Sequence, residues 1–124
     1  MVLVDTSIWI RLIANRAPHA RGLDELLALD EVLGHELVYG ELLIGATGRR
    51  AALLTDYLRM DQAPVVSHEE VVTFVKARRI AGRGFGWIDA QLLASALVAR
   101  VPLWTADAAL DKAARELGVA YAQP

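Results

Sequence analysis

The chain has 124 residues, a hydrophobic fraction of 55 per cent and a formal net charge of −2. That length suits one domain, 1–124, and the apolar content excludes a disordered chain. There is no overall basic field for nucleic acid, no apolar run near the roughly 18 residues of a membrane span, and no cysteine for disulfides or thiolate metal sites.

Val2-Leu3-Val4 reads as a central parallel strand, because a short all-apolar run suits a strand covered on both faces. It starts at residue 2, so no room for a signal peptide is expected, and a cytoplasmic location fits. Asp5 follows at the strand's C-terminal end, the edge of an open α/β sheet where ligands bind. Asp5-Thr6-Ser7 offers an N-cap for a helix from Ser7 to about Asn15, and Arg16-Ala17-Pro18 breaks it. His19 to Asp30 is predicted as a second helix, and Glu31 to Gly34 as a second strand. Glu36 to Ala46 is helical by period, with Leu37, Gly40, Glu41 and Ile44 on one face.

Thr47-Gly48 reads as a turn into a helix from Arg49 to about Met60, which makes a helix hairpin. Its apolar residues, Leu43, Tyr57 and Leu58 among them, are expected to serve a partner as well as the core. Ala63 to Val66 is an edge strand or extended link, since Pro64 argues against a central place. Ser67, with Glu70 three residues on, caps a helix that runs to about Ile80. Gly82-Arg83-Gly84-Phe85-Gly86-Trp87 is expected to be a mobile loop. Ile88 to Arg100 is a buried helix, Val101 to Thr105 a strand, Asp107 to Leu117 a helix and Val119 to Tyr121 a last strand. Helices alternating with short apolar strands predict a three-layer α/β/α sandwich around a parallel sheet of four to five strands.

Four acids carry the chemistry. Asp5 and Asp107 follow strands, and Asp89 opens the buried helix. Taken singly, each reads as an N-cap or first-turn acid. Glu41 does not, because it lies mid-helix on a face expected to be buried. Carboxylates gathered in one cleft repel one another, and a cation relieves this. With oxygen ligands only, that cation is Mg²⁺ or Mn²⁺, which activates water and neutralises charge at a phosphodiester. Thr6, Ser7 and Thr105 can hydrogen-bond the acids or the waters around the ion.

Other motifs lead elsewhere or nowhere. His35-Glu36 lacks the second histidine of a zinc hydrolase, and no phosphate-binding glycine motif is present. His19, His35 and His68 read as surface or capping residues, and Trp9, Trp87 and Trp104 as core, although Trp87 can stack on a base. Lys76, Arg78, Arg79 and Arg83 form a run free of acids, with Arg49 and Arg50 a second basic spot. These are either solvated helix faces or contacts to phosphate.

Val2 to Ser7, Glu41 within Tyr39-Gly40-Glu41-Leu42-Leu43-Ile44-Gly45, Gly86-Trp87-Ile88-Asp89-Ala90, and Thr105-Ala106-Asp107 with Leu110 resemble the PIN domain. Within that family the chain resembles the VapC-type toxins of type II toxin–antitoxin systems, over its whole length. The resemblance implies a Mg²⁺- or Mn²⁺-dependent endoribonuclease aimed at tRNA or ribosomal RNA, with Asp5, Glu41, Asp89 and Asp107 as catalytic and metal-holding acids. It implies homodimers and a small antitoxin. His35 departs from the pattern, standing where the family often has a small hydroxyl residue. Two rivals stand beside this reading. One is a catalytically silent PIN-like scaffold that binds RNA or protein. The other is a phosphoacceptor receiver-like domain, which needs a lysine after a late strand; the only lysines, Lys76 and Lys112, fall on predicted helices.

Overall fold

This computed structural model describes residues 1–45 and 48–124. The turn expected at Thr47, the helix end at Ala46 and the Arg49 side chain lie outside the described residues. The elements run β1 (Val2–Val4), α1 (Thr6–Ile13), α2 (His19–Ala28), β2 (Val32–Leu33), α3 (Glu36–Ile44), α4 (Arg49–Tyr57), α5 (His68–Ala77), α6 (Trp87–Ala99), β3 (Leu103–Trp104) and α7 (Ala108–Glu116).

The sheet has the order β2-β1-β3, all parallel, with Leu3 opposite Leu33 on one side and Leu103 on the other. Successive strand residues point to opposite faces, yet Val2, Leu3 and Val4 are all buried. Helices therefore cover both faces, as in an α/β/α sandwich. The sheet is narrower than the four to five strands expected. The segments at Gln62 and Ala120 each add one parallel bridge, Gly34 to Gln62 and Leu103 to Ala120, and no ladder. Pro64 has no N–H to donate just beyond the first of these.

The main core joins the sheet to Ile8, Trp9, Leu23, Leu42, Tyr57, Leu92, Leu93 and Leu110. A smaller cluster of Val66, Val71, Ala90 and Ala94 seats α5 on α6. Residues Ala90 to Ala96 of α6 are buried without a break, so the middle of this helix is enclosed on all sides. Among the described residues no helix is long and apolar enough to cross a membrane.

Two expectations about α3 and α4 are corrected. The buried residues of α3 are Val38 and Leu42, so its core face lies one residue round from the one expected. Ile44 is 92 % exposed and Glu41 is exposed too. A helix with apolar residues on every side does not announce its inner face by period. Tyr57 is fully buried against Trp9, ring centroids 5.2 Å apart, and is closed to a partner. Leu43 and Leu58 are exposed, as a docking surface requires.

Candidate active site

Parallel pairing of β1 with β3 sets their C-terminal ends side by side, and this brings Asp5 against Thr105. The Thr105 hydroxyl donates to Asp5 Oδ2 at 2.8 Å, and the Ser7 hydroxyl donates to the same oxygen at 2.7 Å. These hydroxyl oxygens also accept backbone donors. Ser7 Oγ takes the Ala106 N–H at 3.0 Å, and Thr105 Oγ1 takes the Asp107 N–H at 3.0 Å. The turn after β3 is thus folded onto the turn after β1. Asp5 itself is 4 % exposed.

Asp107 is the N-cap of α7, its Oδ1 accepting the Leu110 N–H at 2.9 Å. Asp89 lies in the first turn of α6, its Oδ2 accepting the Gly86 N–H at 3.1 Å. Glu41 reaches across from α3, where its Oε1 accepts the Thr6 hydroxyl at 2.6 Å. Thr6, Ser7 and Thr105 each bond an acid. In all four acids the protein donors end on one oxygen, and the second oxygen has no protein donor among the described residues.

The four acids share one electrostatic field. Burial raises the Asp89 carboxyl above its ordinary value, the Gly86 N–H opposes that rise, and the charges of Asp5, Asp107 and Glu41 add to it. The acids are gathered but not closed on a point: as the side chains stand, no three acidic or histidine groups among the described residues are arranged to hold an ion. Chemically the donor set fits a hard cation, being all oxygen, with a free oxygen on each acid and mutual repulsion to relieve.

A carboxyl with a raised value weakens the fold wherever its unfolded counterpart is ionised. The penalty is absent below the unfolded value, about 3.9, and grows until the raised value is passed. In metal-free solution Asp89→Asn is therefore expected to raise the thermal midpoint at pH 7. The gain should shrink as pH falls toward 4. A variant no more stable than the parent at pH 7 would show that Asp89 carries no such penalty.

The basic run divides. Lys76, Arg78 and Arg79 are exposed and make no ion pair among the described residues. Arg83 is committed: its guanidinium lies 2.7 Å from Glu116 of α7. The glycine loop is therefore tied to the helix that Asp107 caps. Gly82 and Gly84 have φ of 72° and 90°, which side-chain-bearing residues rarely adopt. Under this loop Val75, Ile80, Phe85, Trp87 and Ala90 line an apolar recess of about 130 Å³. Trp9 and Trp104 are core, whereas Trp87 is 41 % exposed, its ring 5.0 Å from that of His68.

One arrangement escaped the sequence. His35 is fully buried, capping α3 and bonded to Ser95 of α6. The signal was a lone hydroxyl, Ser95, inside the apolar stretch Leu92 to Leu97, which calls for a buried partner.

Comparison with known proteins finds a matching family, full-length relatives and a similar fold. The family described as PIN domain matches residues 2–116. Ribonuclease VapC32 of Mycobacterium tuberculosis (strain CDC 1551 / Oshkosh) is 48 % identical over 124 residues, spanning 99 % of this chain and 98 % of that protein. The same figures hold for Ribonuclease VapC32 of strain ATCC 25618 / H37Rv. Among solved structures, that of PAE2754 from Pyrobaculum aerophilum superposes with a TM-score of 0.60 at 19 % identity. It covers 90 % of this chain and 82 % of its own, a likeness of fold.

Proposed function

The chain belongs to the PIN-domain family and, within it, to the VapC ribonucleases, and on that premise we propose that it is a toxin whose four acids cut RNA with a divalent cation. The observation that supports this most is the shared field at the sheet edge, where Asp89 feels Asp5, Asp107 and Glu41 at once. Asp5, Glu41, Asp89 and Asp107 would hold Mg²⁺ or Mn²⁺. When bound, such an ion neutralises charge at a phosphodiester and activates water to hydrolyse it.

The chain's own contribution is orientation. Ser7 and Thr105 fix Asp5, Thr6 fixes Glu41, and the N–H groups of Gly86 and Leu110 fix Asp89 and Asp107. Holding the acids by one oxygen each limits the reorganisation left for the reaction. The test is induced expression, followed by sequencing of RNA 5′ ends, and cleavage by the purified chain with Mn²⁺ or with excess EDTA. Discrete new ends that vanish in EDTA support the proposal; cleavage that continues in EDTA overturns it.

Lys76, Arg78 and Arg79 supply the RNA backbone contacts in this reading, since the fourth candidate, Arg83, is occupied by Glu116. Replacing all three by Ala is expected to weaken RNA binding and flatten its salt dependence. Each lost contact to single-stranded RNA removes about 0.7 from the log–log slope. An unchanged slope would return these residues to a solvated face.

A ribonuclease toxin needs restraint, which a small antitoxin supplies. The exposed Leu43, Ile44 and Leu58 of the α3–α4 hairpin give it an apolar surface. An arginine from the antitoxin would suit the acids, as a fixed cation shaped for carboxylates. The homodimer that the resemblance implies would bring two such surfaces into one complex.

A further inference from the structure

We infer that His35 is the joint that fixes the helix carrying Glu41 against the helix carrying Asp89. Its catalytic consequence rests on the function proposed above; the joint itself rests on geometry. His35 lies between β2 and α3, and three of its groups reach three helices. Nδ1 accepts the Leu37 N–H at 3.1 Å and so caps α3. Nε2 lies 2.9 Å from Ser95 Oγ in α6. The backbone N–H donates to the Tyr57 hydroxyl of α4 at 2.8 Å, and that hydroxyl donates back to the His35 carbonyl at 3.3 Å.

The pattern settles the tautomer. A ring whose Nδ1 accepts from a backbone N–H is neutral and carries its proton on Nε2, so His35 donates to Ser95. Burial lowers the His35 pKa against the pull of neighbouring Glu36, which keeps the ring in that form. A cap alone does not need a ring, since serine or asparagine would serve. The second nitrogen has its use in reaching α6. His35 and Ser95 are both fully buried, so neither can exchange this bond for water. Glu41 lies six residues past His35, and Asp89 six before Ser95. Each acid is thus about 9 Å along its helix from the bond. A shift at the joint moves one acid against the other.

His35→Asn keeps the cap and loses the reach; Ser95→Ala keeps the cap and loses the acceptor. The chain has no cysteine. Leu43→Cys on α3 and Val98→Cys on α6, both exposed positions, therefore accept spin labels cleanly. The α3–α6 separation is read by pulsed electron resonance, with labelled chain diluted into unlabelled. The expected result is one narrow distribution in the parent and a broadened or displaced one in both variants. Half-saturation by Mn²⁺ should rise, and kcat fall, by about tenfold, with the KM for RNA held within about twofold. The double variant should be no worse than the poorer single one, because both remove the same bond. An unchanged separation in Ser95→Ala overturns the joint, and a changed separation with kcat and Mn²⁺ affinity intact overturns its catalytic consequence. If His35→Asn fails to fold, Ser95→Ala decides alone. If the parent chain does not cleave RNA, the proposed function falls, and the separation still decides the joint.

Discussion

Asp5→Asn is expected to abolish RNA cleavage and leave the fold in place. The two hydroxyls that hold Asp5 donate to Oδ2 at 2.7 and 2.8 Å, and an amide oxygen accepts both as well. What disappears is a charge and an anionic oxygen at the buried end of the central strand. Cation stabilisation of a phosphodiester reaction is worth several kcal/mol, and about 1.4 kcal/mol is tenfold in rate. Cleavage should therefore fall by about a thousandfold or more. Thermal unfolding in metal-free buffer should show an unshifted or higher midpoint, because one member of a repelling set has been neutralised. Mn²⁺ should raise the midpoint of the parent and not of the variant. Retained cleavage, or an equal response to Mn²⁺, would remove Asp5 from the site.

Tyr57→Ala should be the most damaging change outside the central strand. Tyr57 is fully buried, packs edge-on against Trp9, and satisfies both backbone groups of His35. Removing a large buried ring costs about 3–5 kcal/mol, and the upper end applies here because the His35 N–H is left unpaired. A domain's whole stability is about 5–15 kcal/mol. Tyr57→Phe keeps the packing and isolates the hydroxyl, worth about 1–3 kcal/mol. Urea unfolding measures both, as a shift in midpoint at constant slope. If Tyr57→Ala unfolds within about 1 kcal/mol of the parent, this ring is not part of the core, and it becomes available again to a partner on the hairpin.

Strand ends were the most legible feature of this chain. Val2 to Asp5 place an acid directly after an apolar run, Leu103 to Asp107 place one two residues beyond the strand expected to end at Thr105, and parallel pairing then fixes where both acids go. Glu41 was noticed for a reason the fold does not support, burial, since α3 turns Val38 and Leu42 inward and leaves Glu41 exposed beside Thr6. Its importance was readable from the resemblance; its surroundings depend on packing between α1 and α3. Arg83 looked free because its partner, Glu116, lies far along the chain. His35 was legible as a cap and no further, since the link to Ser95 spans sixty residues and leaves no local trace. Bonds between distant elements are set by topology, which a periodic pattern does not encode.

The acids are not equally easy to lose. Asp107 caps α7, Asp89 holds the Gly86 N–H at the head of α6, and Asp5 anchors the hydroxyls that fold the β3 turn onto the β1 turn. At each of these three positions a side chain unable to accept that hydrogen bond would be missed by the fold, even in a chain that had ceased to cut RNA. Glu41 meets one exposed threonine hydroxyl. Under relaxed selection Glu41 should therefore drift first, and a descendant retired from catalysis should keep aspartate or asparagine at positions 5, 89 and 107 while showing another residue at position 41.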